Sequence, residues 1–283
     1  MGQFVAVSDT GIGNRVMTSE DGILWSTQTS AADKGWRSVA WAPEIGILAA
    51  VATSGTTDSV MTSPDGIAWT GRVSAADEFW NSVAWSPELT LFVAVSSTAL
   101  GNHVMTSPDG INWTARTGAA DNQWASVCWS PALGLFVAVA STGTGNRVMT
   151  SPDGINWTIR TSAADNGWRS VVWATEIGLL VAVAFSGTGG LVMTSPDGIN
   201  WTQRTTPVAN AWRSIAWSPT LGLLAAVSTS GTGNRVMTSP DGINWTTRTS
   251  AANNSWYAVA WMSAAAPEPE AFWTHHIRTQ EVI

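Results

Sequence analysis

The sequence predicts an all-β chain folded as a six-bladed β-propeller, with four antiparallel strands to a blade. Three observations predict it. The nonapeptide TSPDGINWT stands at 106–114, 150–158, 194–202 and 238–246. An aspartate recurs every 44 residues without insertion, at Asp21, Asp65, Asp109, Asp153, Asp197 and Asp241. Three tryptophan series keep the same step: Trp25 to Trp245, Trp36 to Trp256 and Trp41 to Trp261, leaving only Trp273 of the 19 outside. A self-similar period of this size marks a repeat fold, and a repeat holding four short strands is a propeller blade.

Residues 124–162 show the elements in order. WASVCWS reads as strand A, GLFVAVAS as B, NRVMTS as C and NWTIRTS as D. Each is a short run rich in β-branched or aromatic residues, bounded by turn formers. PAL with the following glycine joins A to B, and the small polar TGTG joins B to C. The nonapeptide is the C–D hairpin. In it Ser151 bonds locally, Pro152 presets φ, Asp153 tolerates the bridge region and Gly154 supplies the positive φ that releases the chain into strand D. Blades stack face to face, so both faces need apolar cover. Strict alternation along strand A places Trp36, Ser38 and Ala40 on one face and Val39 and Trp41 on the other. Each buried indole withdraws ~150–250 Å² from water, which compensates for the absence of cross-links: Cys128 is the single cysteine.

The chain starts out of phase. QFVAVS matches strand B, and the missing strand A stands at 256–262 as WYAVAWM. The sixth blade is therefore expected to be assembled from both ends, with N-terminal strands B, C and D closing the ring against a C-terminal strand A. The domain reading is a propeller over 1–262 and a linker with a docking tail over 263–283.

At SPDGINW the sequence resembles the Asp-box, or BNR, repeat, whose pattern is Ser-x-Asp-x-Gly-x-Thr-Trp between the third and fourth strands of a blade. Ser107, Asp109 and Trp113 match the Ser, Asp and Trp. The glycine comes one residue early and the interval to Trp is one shorter. The whole blade resembles sialidase-like and photosystem-assembly-factor-like propellers, including those of bacterial and phage structural proteins. The resemblance covers 1–262 and implies a structural role for the six aspartates on the outer rim. It also implies what a sialidase would need: an arginine triad, a tyrosine paired with a glutamate, and an acidic proton donor. The only tyrosine, Tyr257, stands where other repeats carry Arg37, Asn81, Ala125, Arg169 and Arg213, and no glutamate occupies a matching strand position. The paired carboxylates of glycoside hydrolysis are not visible, so the reading is a protein that binds and does not catalyse.

A formal charge of −7, with 13 Lys+Arg against 20 Asp+Glu, gives nucleic acid little electrostatic support. No apolar run approaches the ~20 residues of a membrane span, and no secretory signal pattern opens the chain. The expectation is a soluble chain of unassigned location. Its composition, low in lysine and rich in Ser, Thr, Asn and Gly, suits an extracellular or virion surface. No cofactor or metal is expected: His103 replaces a repeat arginine and is read as solvated, His275 and His276 lack further ligands, and Cys128 takes the place of Ala40, Ala84 and Val172 as a small core residue.

The D–A and B–C loops must emerge on one face. They ring the tryptophan that opens strand A with Asp, Asn, Ser, Thr and Gly, a composition suited to sugars or a receptor. The candidates are Asp33, Trp36, Arg37, Asp77, Trp80, Asp121, Trp124, Asp165, Trp168, Arg169, Trp212, Arg213 and Trp256. The alternative for each tryptophan is packing between blades, and for each acid, capping a loop. After the Ala/Pro linker, the tail offers Phe272, Trp273, Ile277, Val282 and Ile283 as apolar anchors for a protein assembly, on the face opposite the loops. Three functions follow, in this order: a multivalent glycan or receptor binder, a structural or decoration protein of a particle such as a virion, and last a sialidase-like glycosidase.

Overall fold

The computed structural model describes residues 3–53, 57–98 and 102–261, and the chain is a six-bladed β-propeller. Blade 1 runs through Trp36–Ala42, Ile47–Ala52, Val60–Ser63 and Thr70–Arg72 as strands A to D. Blades 2 to 5 repeat this from Trp80, Trp124, Trp168 and Trp212, each a four-stranded antiparallel meander. Because each blade is a meander, its A–B and C–D turns share one end and its B–C and D–A loops the other. Strand B is the buried spine: Val137, Ala138, Val139 and Ala140 have no exposed surface.

Strict alternation along strand A does not hold. Trp36 pairs with Ala52 and Ser38 with Val51, so Arg37 is an extra residue in a β-bulge. The same irregularity recurs at Asn81, Ala125, Arg169 and Arg213. A bulge bends its strand and re-aims one side chain. Here it frees the serine that follows to reach the next blade: Val83 N–H donates to Ser38 Oγ at 3.2 Å, Val127 to Ser82 at 3.2 Å and Val171 to Ser126 at 3.2 Å.

Each tryptophan series has its own work. In the first, the indole N–H donates to the glycine carbonyl of its own C–D turn, as Trp113 does to Gly110 at 2.9 Å. In the third, it crosses to the preceding blade, Trp85 to Glu44 at 2.7 Å and Trp129 to Glu88 at 2.7 Å. Trp173 would need an acceptor at Ala132 and has none, so its buried N–H stays unpaired. The second series is the core of the interblade packing and is described with the site.

The C–D turn is a self-contained device. Asp109 Oδ1 accepts from the N–H groups of Ile111 and Asn112, both at 2.8 Å, and from Ser107 Oγ at 2.9 Å, while Oδ2 accepts from Asn112 Nδ2 at 2.8 Å. Burial pushes this carboxyl up, but the Asn112 backbone and side chain, the Ile111 N–H and Ser107 together outweigh it and hold the pKa at about 2. Asp153 and Asp241 stand at about 2 by the same balance, and Asp197 is lowered too. Asp21 and Asp65 are lowered chiefly by the backbone N–H groups of Leu24 and Ala68, which lack the asparagine brace. Gly154 is needed twice over: its φ is +72°, and a Cβ there would stand 2.8 Å from Leu91 Cδ2 and 2.9 Å from Val93 Cγ2 of the neighbouring blade. The six aspartates thus hold turns, as read from the repeat.

The sixth blade takes Phe4–Val7, Val16–Ser19 and Ser26–Gln28 from the N-terminus. Its inner position is filled by 256–261, which leans on blade 5: Val259 N–H donates to Ser214 Oγ at 3.1 Å, continuing the serine series, and Trp256 N–H to Ser228 O at 3.2 Å. Between this segment and Phe4–Val7 no ladder forms among the described residues. The other five inner strands are tied to strand B by a short hairpin. This one must meet its partner across the chain ends, with the full loop-closure entropy against it. The consequence is a seam, along which Trp256 is only half-buried and Trp41 is 39% exposed while Trp85 is 9%.

Candidate functional site

The opening tryptophan of strand A is not a platform for sugars. Trp80, Trp124, Trp168 and Trp212 have no exposed surface and Trp36 has 2%. Each lies between blades, where the bulge turns it inward. Its indole N–H donates to the carbonyl four residues earlier, as Trp168 does to Ala164 at 3.1 Å. Trp212 is the exception: Val208 stands at that place, in the altered loop TTPVANA, and the buried N–H has no partner. This corrects the reading of these five as candidate ligand-binding rings; Trp256, half-buried at the seam, makes the same bond to Ala252 at 3.3 Å.

Three of the candidate acids cap loops. Asp33 Oδ1 accepts from Gly13 N–H and Asp165 Oδ1 from Gly145 N–H, both at 2.6 Å, with Arg15 and Arg147 alongside at 3.5 and 3.6 Å. Asp121 Oδ1 lies 2.9 Å from His103 Nε2. His103 is fully buried, which corrects the expectation of a solvated residue: it fills the space of the repeat arginine and packs against the loop of the next strand. Near it Glu78 is buried, and desolvation pushes its carboxyl up against the opposing effects of Ser96, His103 and the Asn102 backbone. Asp77 is exposed at the loop tip. Cys128 packs on the interblade core, and burial lifts its thiol to about 12, so it supplies no thiolate at neutral pH. Among the described residues no group of three His, Cys, Asp or Glu side chains could hold a metal ion. Phe272, Trp273, Ile277, Val282 and Ile283 lie outside the described residues, as do His275 and His276.

The arginines of the candidate set do converge. The bulge at the second residue of strand A, the innermost strand, aims that side chain at the propeller axis. The five such positions are Arg37, Asn81, Ala125, Arg169 and Arg213, and Tyr257 takes the same place in the repeat. Arg37, Asn81, Arg169, Arg213 and Tyr257 line one cavity of about 450 Å³ on the face of the D–A and B–C loops, together with Asp9 from the N-terminal blade. Arg37 Nη1 is 3.0 Å from Asp9 Oδ2, and its Nε donates to Thr53 Oγ1 at 3.3 Å. Arg213 donates to Thr229 Oγ1 at 3.4 Å and lies over two rings, 4.8 Å from the Phe185 centroid and 5.9 Å from that of Tyr257. Arg169 has no carboxylate partner among the described residues. Burial lowers its pKa first, and the charges of Arg213 and Arg37 lower it further. Three guanidinium groups thus face one another with Asp9 the single carboxylate among the described lining residues, in a chain that is acidic overall.

Sequence reasoning named these three arginines but treated each as one of six weak copies. It missed Asn81, Asp9 and Tyr257 as their neighbours. The signal was present: the residue after the opening tryptophan changes identity in a repeat whose next residue, Ser38 and its counterparts, is nearly constant. Variation at one point of a regular scaffold is where a repeat protein departs from its own symmetry.

No protein-family model and no curated protein matches the sequence. Solved structures match in fold. A GH74 enzyme of Niastella koreensis superposes with a TM-score of 0.67 at 15% identity, over 87% of this chain and 45% of that one. The chain thus spans less than half the length of that enzyme. A nidogen/laminin complex gives 0.61 at 12% identity, over 91% and 97%, and YCF48 bound to D1 peptide gives 0.59 at 17%, over 87% and 81%. At these identities the likeness is one of fold.

Proposed function

We propose that this protein is a non-catalytic binding propeller. It takes an acidic group of a glycan or receptor at the axial mouth of the D–A and B–C face, and is held on a larger assembly by its opposite side. The observation that carries the reading is the arginine cluster. Guanidinium groups that repel one another in a partly desolvated cavity are unfavourable alone, and a bound carboxylate, sulfate or phosphate relieves that cost through bidentate, charge-assisted bonds. The rings of Phe185 and Tyr257 beside Arg213 offer apolar cover to the body of such a ligand. Turnover finds less support. Among the described residues the cavity's one carboxylate, Asp9, is committed to Arg37, and none of the others lining it offers Tyr257 a free base or a scissile bond a proton donor. The resemblance to the Asp-box propellers agrees with a scaffold whose turns are structural and whose axis is adaptable.

Calorimetric titration with matched acidic and neutral oligosaccharides, supported by a glycan array, tests the reading. An acidic ligand is expected to bind and the neutral one not. Combined Arg37→Ala, Arg169→Ala and Arg213→Ala should abolish the heat while leaving the melting temperature nearly unchanged. Equal binding of neutral and acidic sugars, hydrolysis of either, or an unaffected triple variant would refute it.

A further inference from the structure

The two ends of the blades differ in charge more than the sequence total suggests. Among the described residues, the segments that form the A–B and C–D turns contain no lysine, arginine or histidine. They carry the six turn aspartates and also Glu20, Glu44, Glu88 and Glu176, ten carboxylates in all. The opposite end holds Arg15, Lys34, Arg147 and Arg235 in its loops and the three axial arginines besides. Half of the chain's acids are thus on a face where the described residues place no counter-charge, and a field of one sign over a whole face steers a partner of the other sign.

That face is also studded with isoleucine. The residue after the turn glycine is Ile23, Ile67, Ile111, Ile155, Ile199 or Ile243, and each is 40% to 80% exposed. The turn needs nothing from this side chain, because only its backbone N–H is used, donating to the aspartate. The residue that follows varies, from Leu24 to Ala68 to asparagine, whereas isoleucine stands in all six repeats. Scattered exposed apolar residues are ordinary, but six at one radius and one height form a ring. The described chain also ends on this face: the segment 256–261 runs along blade 5 from the loop end and reaches Trp261 at the turn end, with 22 further residues to come, among them Phe272, Trp273 and Ile277.

From these features we infer that the A–B and C–D turn face is a protein-docking surface whose partner presents a basic face with apolar side chains to meet the isoleucine ring. The inference rests on the reading above that the propeller is held on an assembly with its axial mouth outward. Long-range attraction between the acidic face and a Lys/Arg-rich surface orients the encounter, and six apolar contacts hold it.

The full-length chain is titrated over three immobilised probes: an amphipathic Lys/Leu peptide, a Lys/Ser peptide of equal charge and a Glu/Leu peptide. Tightest binding to Lys/Leu is expected, weakening as salt rises, with hydrogen-exchange protection confined to the C–D turns and A–B turns. Replacing all six isoleucines by serine should weaken Lys/Leu binding at least tenfold while leaving the Lys/Ser affinity, the melting temperature and the acidic-oligosaccharide heat in place. The inference falls if the serine variant binds Lys/Leu as well as the parent does, if Glu/Leu competes equally, or if protection appears on the loop face. A parent chain that shows these peptide results but no oligosaccharide heat sinks the axial reading alone.

Discussion

The two ends of a blade are built from similar polar residues and use them in opposite ways. At the C–D end Ser, Asp and Gly, joined by Asn in four of the six repeats, satisfy one another inside a single turn, so that each carboxylate is stabilised by its own turn. At the D–A and B–C end the loops cap themselves with Asp33, Asp121 and Asp165, but the bulge beside them releases one side chain per blade toward the axis, and those side chains differ. Satisfied polar groups make scaffold, and unsatisfied ones make a site. Chemistry therefore concentrates where the repeat stops repeating.

Adjacent residues give the sharpest way to break that comparison. Trp168→Ala empties a fully buried interblade space and should cost about 3–5 kcal/mol in urea unfolding, while Arg169→Gln next to it should leave stability within about 0.5 kcal/mol and remove most of the acidic-ligand affinity. If the two variants behave alike, the division between scaffold and site is wrong. At the turn, Asp153→Ala discards every bond that Asp153 accepts and should cost about 1–3 kcal/mol, seen as a lower melting temperature with ligand affinity retained.

The turns also predict an acid limit. Their carboxyl pKa values are depressed in the folded state, from the ordinary 3.8 to about 2 at Asp109, Asp153 and Asp241. Their contribution is therefore complete above about pH 4 and is lost as pH falls through about 2. Circular dichroism across that window should show unfolding midpoints dropping fastest there, and Asn156→Ala should narrow the window by weakening one depressed carboxylate. A flat profile between pH 4 and 2 would contradict the network. The smallest effect is a repair: Ala132→Glu supplies Trp173 with the acceptor that Glu44 and Glu88 give their partners, and should stabilise by about 0.5–1 kcal/mol. An unchanged melting temperature would show that the indole–glutamate bond between blades contributes nothing net.

Much of this was legible in the sequence because propeller blades are local objects. The 44-residue step and the turn chemistry of Ser-Pro-Asp-Gly specify blade number and strand order, since each depends on residues near one another along the chain, whereas the sixth blade draws on both chain ends and its seam was not legible. Even the isoleucine ring is written there as a period. What only the tertiary structure decided is direction. The β-bulge after Trp36 and its counterparts has no signature in a pattern of alternation, yet it buries the indole and turns the arginine to the axis. Arg37, Arg169 and Arg213 are 132 and 44 residues apart in sequence and share one cavity only because six sheets close around a common axis. Short-range preferences determine the blade, but which side chains meet at its centre is settled by how the blades pack.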